Sequence, residues 1–412
     1  MEGAAAAAAA KPKDDLEVDA PSTEDIGEDT EEEGVDFEED QEEDWEEDWA
    51  EYEEEGRLSS TKYDFVKVKV HLEDHYYILS RFIVSRTLTL THVNPEDAIK
   101  ISLQLKKELV DQGKLETTQE ELEAQLFKIM ESKGYGAIYR DRFRMVLKFH
   151  HQRVPLIILI AGTGCTGKSF LATQLAQRIN LPNVLQTNLV YEFLEGMKST
   201  GAPPPLPVPY RKFDSQRELL LEYKKTCEIV RGAVKADLEK ALKEGKSIIL
   251  EGMHIDPVLY LELIRDHNIL EYNLPDPAAM HDIDLLLNQP QQQEEAAKSS
   301  SPSTLPKKKG VIIPFVFKMK EKEHRLFVEN WLSCSANDRE LLKTISEDTA
   351  TQTKVLLSNL RYIQDFLCKY APPFQKVEVK AQSFPETLDH LHSVVLEGIQ
   401  QAYEYTSAFK DS

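Results

Sequence analysis

Residues 156–179 read LIILIAGTGCTGKSFLATQLAQRI, and this stretch decides the fold. The apolar run Val154–Ile160 has no polar alternation, as expected of a parallel strand buried on both faces. It runs into Gly162-Thr163-Gly164-Cys165-Thr166-Gly167-Lys168-Ser169, which fits G-x-x-x-x-G-K-[ST]. Glycines let a backbone curl until successive N–H groups point at one anion. Lys168–Ile179 has helical spacing, so a helix N-terminus adds its positive end. In that arrangement Lys168 reaches the β- and γ-phosphates of ATP, and the Ser169 hydroxyl holds Mg²⁺. Strand, loop and helix follow in the order that anion binding requires. A glycine-rich turn that binds nothing is the bland alternative, and Cys165 reads as a small loop filler in preference to an oxidation-sensitive thiol at a helix N-terminus.

Around this element the chain alternates strands and helices. Asn183–Thr187 (NVLQT) reads as a strand, and a proline-rich loop follows at Ala202–Pro209. A long helix is predicted over Gln216–Lys243, with Gly245 stopping it. Ser247–Leu250 and Val311–Met319 read as further buried strands. The pattern predicts an α/β fold: a three-layer parallel sheet with helices on both sides. Glu251 directly follows one strand end, where a carboxylate can hold Mg²⁺ or orient a nucleophile. A helix-capping or surface glutamate is its bland reading. His254, in EGMH, is a candidate contact for substrate, against an ordinary loop histidine. Lys318, Lys320, Lys322, His324 and Arg325 form a basic cluster able to close over phosphates. Arg325 is its chosen member, and a solvated charged face is the competing reading.

The chain has 412 residues and a formal charge of −23, but the charge is uneven. Asp14–Glu55 holds 25 acidic residues and no Lys or Arg, which leaves residues 56–412 near neutral at +1. Residues 1–58 are therefore expected to be a disordered acidic tail. Within it Trp45 and Trp49 are spaced i,i+4, so a transient helix could present both to a protein partner. A solvating tail with incidental aromatics is the bland reading, and the preferred one. The near-neutral body argues against nucleic acid as a partner. The longest apolar run is too short for a membrane span. Four cysteines without a C-x-x-C pair suggest neither zinc nor a disulfide framework. No secretory leader is legible, so a cytoplasmic location is expected, with the nucleus open.

Between the tail and the glycine loop lies a helical module, residues 59–150. Tyr63–His71 alternates like a half-buried strand. Asn94-Pro95 reads as N-cap and first turn of a helix, and a second helix starts at Thr117 or Thr118. Residues 151–412 form the sheet domain, interrupted by a low-complexity insert at 275–310 that is expected to be disordered.

Three stretches together resemble the 2-phosphoglycerate kinase family: AGTGCTGKSFLATQLAQRI (161–179), EIVRGAVKADLEKALKEGKSIILEGMHIDP (228–257) and SNLRYIQDFLCKYA (358–371). The resemblance implies a P-loop kinase of the archaeal type, with plant relatives linked to phytic acid metabolism. It implies transfer of phosphate from ATP to 2-phosphoglycerate, a small phosphorylated metabolite. The module at 59–150, through SRFIVSR (80–86), is similar to the ATP-cone domain of that family, which implies a nucleotide-responsive role. The chain departs from the family where members tend to read T-D-x-[IV]-R. Here Thr187-Asn188-Leu189-Val190-Tyr191 stands in that place. Asn188 can hydrogen-bond an acceptor hydroxyl but cannot take its proton, and Tyr191 has no charged fork for a phosphate.

The expected function is an ATP-dependent small-molecule kinase. Lys168, Glu251 and Arg325 are its catalytic residues, Gly162 to Ser169 hold the nucleotide, Ser169 and Glu251 hold Mg²⁺, and Asn188 and His254 face the acceptor. The alternative is a catalytically impaired nucleotide-binding regulator that uses the acidic tail as a binding arm. A protein kinase is disfavoured because its H-R-D and D-F-G signatures are absent.

Overall fold

The computed structural model describes residues 61–72, 75–181, 183–198, 206–274, 309–334 and 348–408. Thr61–Ser412 is one compact unit. The expectations for the acidic tail and for residues 275–308 of the insert fall outside the described residues; at the insert's expected end Gly310 is ordered, bridging to Asn268 and donating its N–H to the His267 carbonyl at 2.8 Å.

The first part of this unit is small and mixed. Strands β1 (Lys69–His71), β2 (Tyr76–Ile78) and β3 (Glu116–Thr118) form a sheet in the order β2-β1-β3. Helices α1 (Arg81–Leu90), α2 (Pro95–Asp111), α3 (Gln119–Ser132) and α4 (Ala137–His151) pack with it. The strand expected over Tyr63–His71 is shorter than its alternation suggests. Lys62–Phe65 is instead a 3₁₀ turn. Asp64 accepts the Thr61 N–H at 2.9 Å and binds Arg81 Nε at 2.8 Å, so local capping wins over strand pairing. Asn94 caps α2 as expected, accepting the Glu96 N–H at 2.9 Å. Of the two threonines offered for the next helix start, Thr118 is the cap, accepting the Glu121 N–H. Thr117 pairs in β3, opposite Val70 of β1.

The larger part is a five-stranded, all-parallel sheet. It contains β4 (Leu156–Ala161), β5 (Val184–Gln186), β6 (Ile248–Gly252), β7 (Val311–Lys318) and β8 (Gln375–Glu378), ordered β5-β6-β4-β7-β8. The strand feeding the glycine loop is therefore central. All six β4 residues are buried, and their side chains divide by the strand's period of two. Leu156, Ile158 and Ile160 join one core with α5 (Lys168–Arg178) and α11 (Phe384–Ala408). Ile157, Leu159 and Ala161 join the other, with α7 (Gln216–Glu244), α8 (Leu261–His267) and α10 (Thr349–Lys369). Two further helices, α6 (Thr187–Lys198) and α9 (Glu321–Cys334), follow the carboxyl ends of β5 and β7. This is the three-layer α/β architecture that the sequence predicts.

The small part is docked on the sheet. Leu90, Met145, Val146 and Phe149 lie in the first of these cores. His92 stacks on His392 of α11 with ring centroids 4.0 Å apart. Among the described residues no helix is long and apolar enough to cross a membrane.

Candidate active site

The glycine loop joins the buried end of β4 to the first turn of α5. Gly167 sits at φ 76°, and a Cβ there would stand 2.6 Å from the Phe384 ring, so glycine is required on both counts. The Thr166 hydroxyl donates to the Thr163 carbonyl at 2.9 Å and tightens the turn. Lys168 is buried, and its ammonium donates to the same carbonyl. Burial pushes its pKa down from the ordinary lysine range, and the negative charge of Glu251 opposes that shift. A buried ammonium held by one carbonyl gains from a second anionic partner.

Glu251 is the fourth residue of β6, inside the strand where the sequence reading put it just beyond the end. Parallel register pairs Ile160 with Glu251, which brings it beside the loop. Its Oε1 accepts from Ser169 Oγ at 2.7 Å. Its Oε2 is buried without a hydrogen-bond partner among the described residues. One carboxylate therefore bridges to the loop hydroxyl and keeps an unused hard oxygen.

Two residues on, the chain turns sharply. The His254 N–H donates to Thr187 Oγ1 at 3.4 Å, and its ring stacks on Tyr191 at 5.0 Å between centroids. Desolvation, followed by the charge of Lys168, lowers the His254 pKa to about 3. The imidazole is thus neutral near pH 7 and offers a substrate a hydrogen bond, not a charge. His254 Nδ1 and Asn188 Oδ1 are both buried with no partner among the described residues. Tyr191, standing where the resemblance leads one to expect arginine, is buried in the core.

The basic cluster is arranged differently from its sequence pattern. Lys318 and Lys320 pair with Glu378 of β8 at 3.4 and 3.1 Å. Arg325 is exposed, and among the described residues no hydrogen bond or ion pair ties it to the glycine loop. Its neighbour His324 is the member that reaches the loop. Helical geometry points it inward with Val328, and its Nε2 lies 2.8 Å from the Gly164 carbonyl. From α10, Leu360 packs on the same glycine. Sequence reasoning did not single out Leu360, Thr187 or Phe384. Leu360 is signalled only by the SNLRYIQ stretch and Thr187 only as the first residue of the Thr187–Tyr191 stretch, and neither role is visible without the fold.

No family model matches the chain. Curated sequence relatives do. A 2-phosphoglycerate kinase of Methanococcus vannielii is 26% identical over 223 residues, 50% of this chain and 70% of that protein. One of Pyrococcus furiosus is 30% identical over 188 residues, 43% of this chain and 61% of that protein. One of Methanothermobacter thermautotrophicus is 28% identical over 209 residues, 47% and 66% respectively. The matches thus span about half of this chain. Among solved structures, tRNA isopentenylpyrophosphate transferases of Staphylococcus epidermidis and Bacillus halodurans give TM-scores of 0.29 and 0.30 at 16% and 13% identity. They cover 59% and 62% of this chain and 99% of each of those chains, and at such scores nothing about this chain follows from them.

A central parallel strand, a glycine loop with buried lysine, a strand-end carboxylate and these relatives define an enzyme of the P-loop phosphotransferase class. Within that class, the 2-phosphoglycerate kinase family is the one this chain resembles.

Proposed function

We propose that the chain is an ATP-dependent kinase that moves the γ-phosphoryl group to a hydroxyl of a small phosphorylated metabolite such as 2-phosphoglycerate. The observation that carries this reading is the 2.7 Å bridge from Ser169 to Glu251 beside buried Lys168. It joins the loop that would hold the phosphates to the strand end that would face the acceptor. Lys168 and the amides of Gly162 to Ser169 bind the terminal phosphates.

The donor set fits Mg²⁺. A hydroxyl and a carboxylate with one unpartnered buried oxygen are hard ligands. Among the described residues no cluster of three or more His, Cys, Asp or Glu is placed for a metal, which suits an ion shared with substrate phosphates. Ser169 and Glu251 would hold it, and it would supply charge neutralisation on the phosphate oxygens. Asn188 and neutral His254 orient the acceptor hydroxyl through their unpartnered atoms. Arg325, on α9, is proposed to cover the transferring group from the acceptor's side, where it also meets the acceptor's own phosphate. The module at 59–150 is proposed as an ATP-cone-like regulatory domain, and its contact with α11 supports communication with the kinase part.

The purified chain with Mg·ATP should transfer labelled phosphate to 2-phosphoglycerate or a related phosphoester. Lys168→Ala should abolish transfer, and activity persisting in that variant counts against the assignment. Tyr191 and Asn188 favour a second reading, a nucleotide-binding regulator without turnover. Tyr191 fills the place of a charged fork with a ring packed on His254. Tight ATP binding without transfer to any phosphoester in a screen would select it.

A further inference from the structure

Four of the seven residues in the SNLRYIQ stretch of α10 make distinct contacts. Asn359 Nδ2 donates to the carbonyls of Pro209 and Arg211 at 3.0 and 2.9 Å. Leu360 reaches within 3.4 Å of the Cβ position of Gly164. Gln364 clasps the main chain of Met319, accepting its N–H at 2.9 Å and donating to its carbonyl at 3.1 Å. These contacts fix the helix against the glycine loop and against the end of β7. Arg361 is the charged member, and it points to a side chain instead. It is paired with Glu321, in the first turn of α9, three residues before the histidine that touches Gly164.

Both partners are largely in water, with side-chain exposures of 40% for Arg361 and 54% for Glu321. A pair so exposed adds little to stability. Its placement is what matters. Through Glu321, Arg361 is held to the turn of α9 that carries His324, whose Nε2 lies 2.8 Å from the Gly164 carbonyl; burial lowers the His324 pKa, and the charges of Lys168 and Arg361 add to that. Nearby, Lys318 and Lys320 pair with Glu378 and Lys168 with the Thr163 carbonyl, while Arg325 is exposed and acts on Glu321 only through its charge. A guanidinium offers two parallel donors that match phosphate oxygens, which a carboxylate can occupy meanwhile.

We propose that Arg361 grips the γ-phosphate of a bound nucleoside triphosphate and that Glu321 holds it until then, so that the pair distinguishes triphosphate from diphosphate. This rests on the nucleotide-binding reading of the glycine loop. Arg361 forms no bond and exchanges no proton. It exchanges one anionic partner for another, and it neutralises charge that spreads over the transferring group. Glu321 therefore competes with the nucleotide for the arginine.

Calorimetric titration of the intact chain with Mg·ATP and with Mg·ADP separates the outcomes. Arg361→Met should weaken ATP by roughly tenfold or more, the scale of a lost charged hydrogen bond, and leave ADP within about twofold. Glu321→Gln should tighten ATP by roughly two- to fivefold, the scale of an exposed ion pair, and leave ADP unchanged. With an acceptor present, Arg361→Met should lose on the order of 10³-fold in kcat. Equal weakening of ATP and ADP in Arg361→Met, or unchanged ATP affinity in Glu321→Gln, overturns the proposal. Failure of the underlying reading has a separate signature: the unmodified chain binds neither nucleotide, or Lys168→Ala binds both as well as it does.

Discussion

Gly252 separates the two residues that the site depends on, Glu251 and the turn to His254. Its φ is +147°, a region that side chains with a Cβ rarely adopt. A Cβ built there stands 1.8 Å from Thr187 Oγ1, 2.9 Å from Thr187 Cβ and 3.3 Å from Thr187 N. Rotating the threonine moves only the first of these atoms, and it breaks the hydrogen bond from the His254 N–H. Thr187 is fully buried at the start of α6, so its backbone cannot retreat without shifting the helix. Overpacking costs about 1–3 kcal/mol. The disfavoured backbone costs about 1–3 kcal/mol. The lost hydrogen bond costs about 1 kcal/mol. Gly252→Ala should therefore destabilise by about 4 kcal/mol and lower Tm by roughly 5–10 °C by scanning calorimetry. Adding Thr187→Ala removes the shortest contact, so the double variant should recover part of the loss and the two changes should not add. A Gly252→Ala protein melting within about 1 °C of the unmodified chain would refute the packing argument. Strict additivity would refute the role given to Thr187.

Acid should destabilise the fold in a particular window. The pKa of His392 is lowered to about 4 and that of His254 to about 3, from an ordinary 6.5, chiefly by burial. His392 also faces His92 and Arg178, which lower it further, and Asp389, which opposes them. Between about pH 6.5 and 4 the unfolded chain binds protons at these rings that the folded chain refuses. Stability present above pH 6.5 is therefore lost as pH falls, by up to about 1.4 kcal/mol per unit for each histidine. Thermal melts across pH 4–8 should show that slope, and His392→Gln should make it shallower; an unchanged slope contradicts the assignment. In the small part, Arg81 is 2% exposed and its Nε contacts both carboxylate oxygens of Asp64 at 2.8 and 2.9 Å. Asp64→Asn should cost about 3 kcal/mol by chemical denaturation, and Arg81→Met on that background should recover some of it. Equal stability of Asp64→Asn and the unmodified chain counts against a buried charge.

The features legible in the sequence are those whose causes are local. The β4 run, the glycine loop and the start of α5 sit in 24 consecutive residues, and each constrains its neighbour through backbone geometry. Ser215 accepts the Glu218 N–H and opens α7 at Gln216, the expected residue. The strand predicted at Tyr63 failed because alternation does not report the carboxylate of Asp64, which finds Arg81 17 residues away. The sign of the basic cluster was legible, but its wiring was not. Lys-x-Lys alternation places Lys318 and Lys320 on one side of the chain, and only the parallel pairing of β7 with β8 reveals Glu378 opposite them. His324 and Arg325 look equivalent as adjacent basic residues. The helix turns one into the core and leaves the other in solvent.

The same logic explains why the acceptor remains harder to read than the donor. Phosphates are held by main-chain amides, and a short glycine pattern encodes these almost completely. The proposed acceptor contacts come from side chains beyond three separate strand ends, each 60 or more residues from the next. In this chain one such position carries Tyr191 in place of a charged residue. Its ring packs against a histidine that burial keeps neutral. A phosphate at that spot would meet no positive charge from either residue. If the chain phosphorylates a phosphoester, the ester's own charge must be met from the α9–α10 side, where the charges of Arg361 and Arg325 both act on Glu321. That division can be measured. Loss of Arg325 should raise the acceptor KM and leave nucleotide affinity alone, whereas loss of Arg361 should act on the triphosphate. If Arg325→Ala leaves the KM of every phosphorylated acceptor unchanged, the acceptor's charge is not read from that side, and an uncharged hydroxyl compound becomes the better substrate.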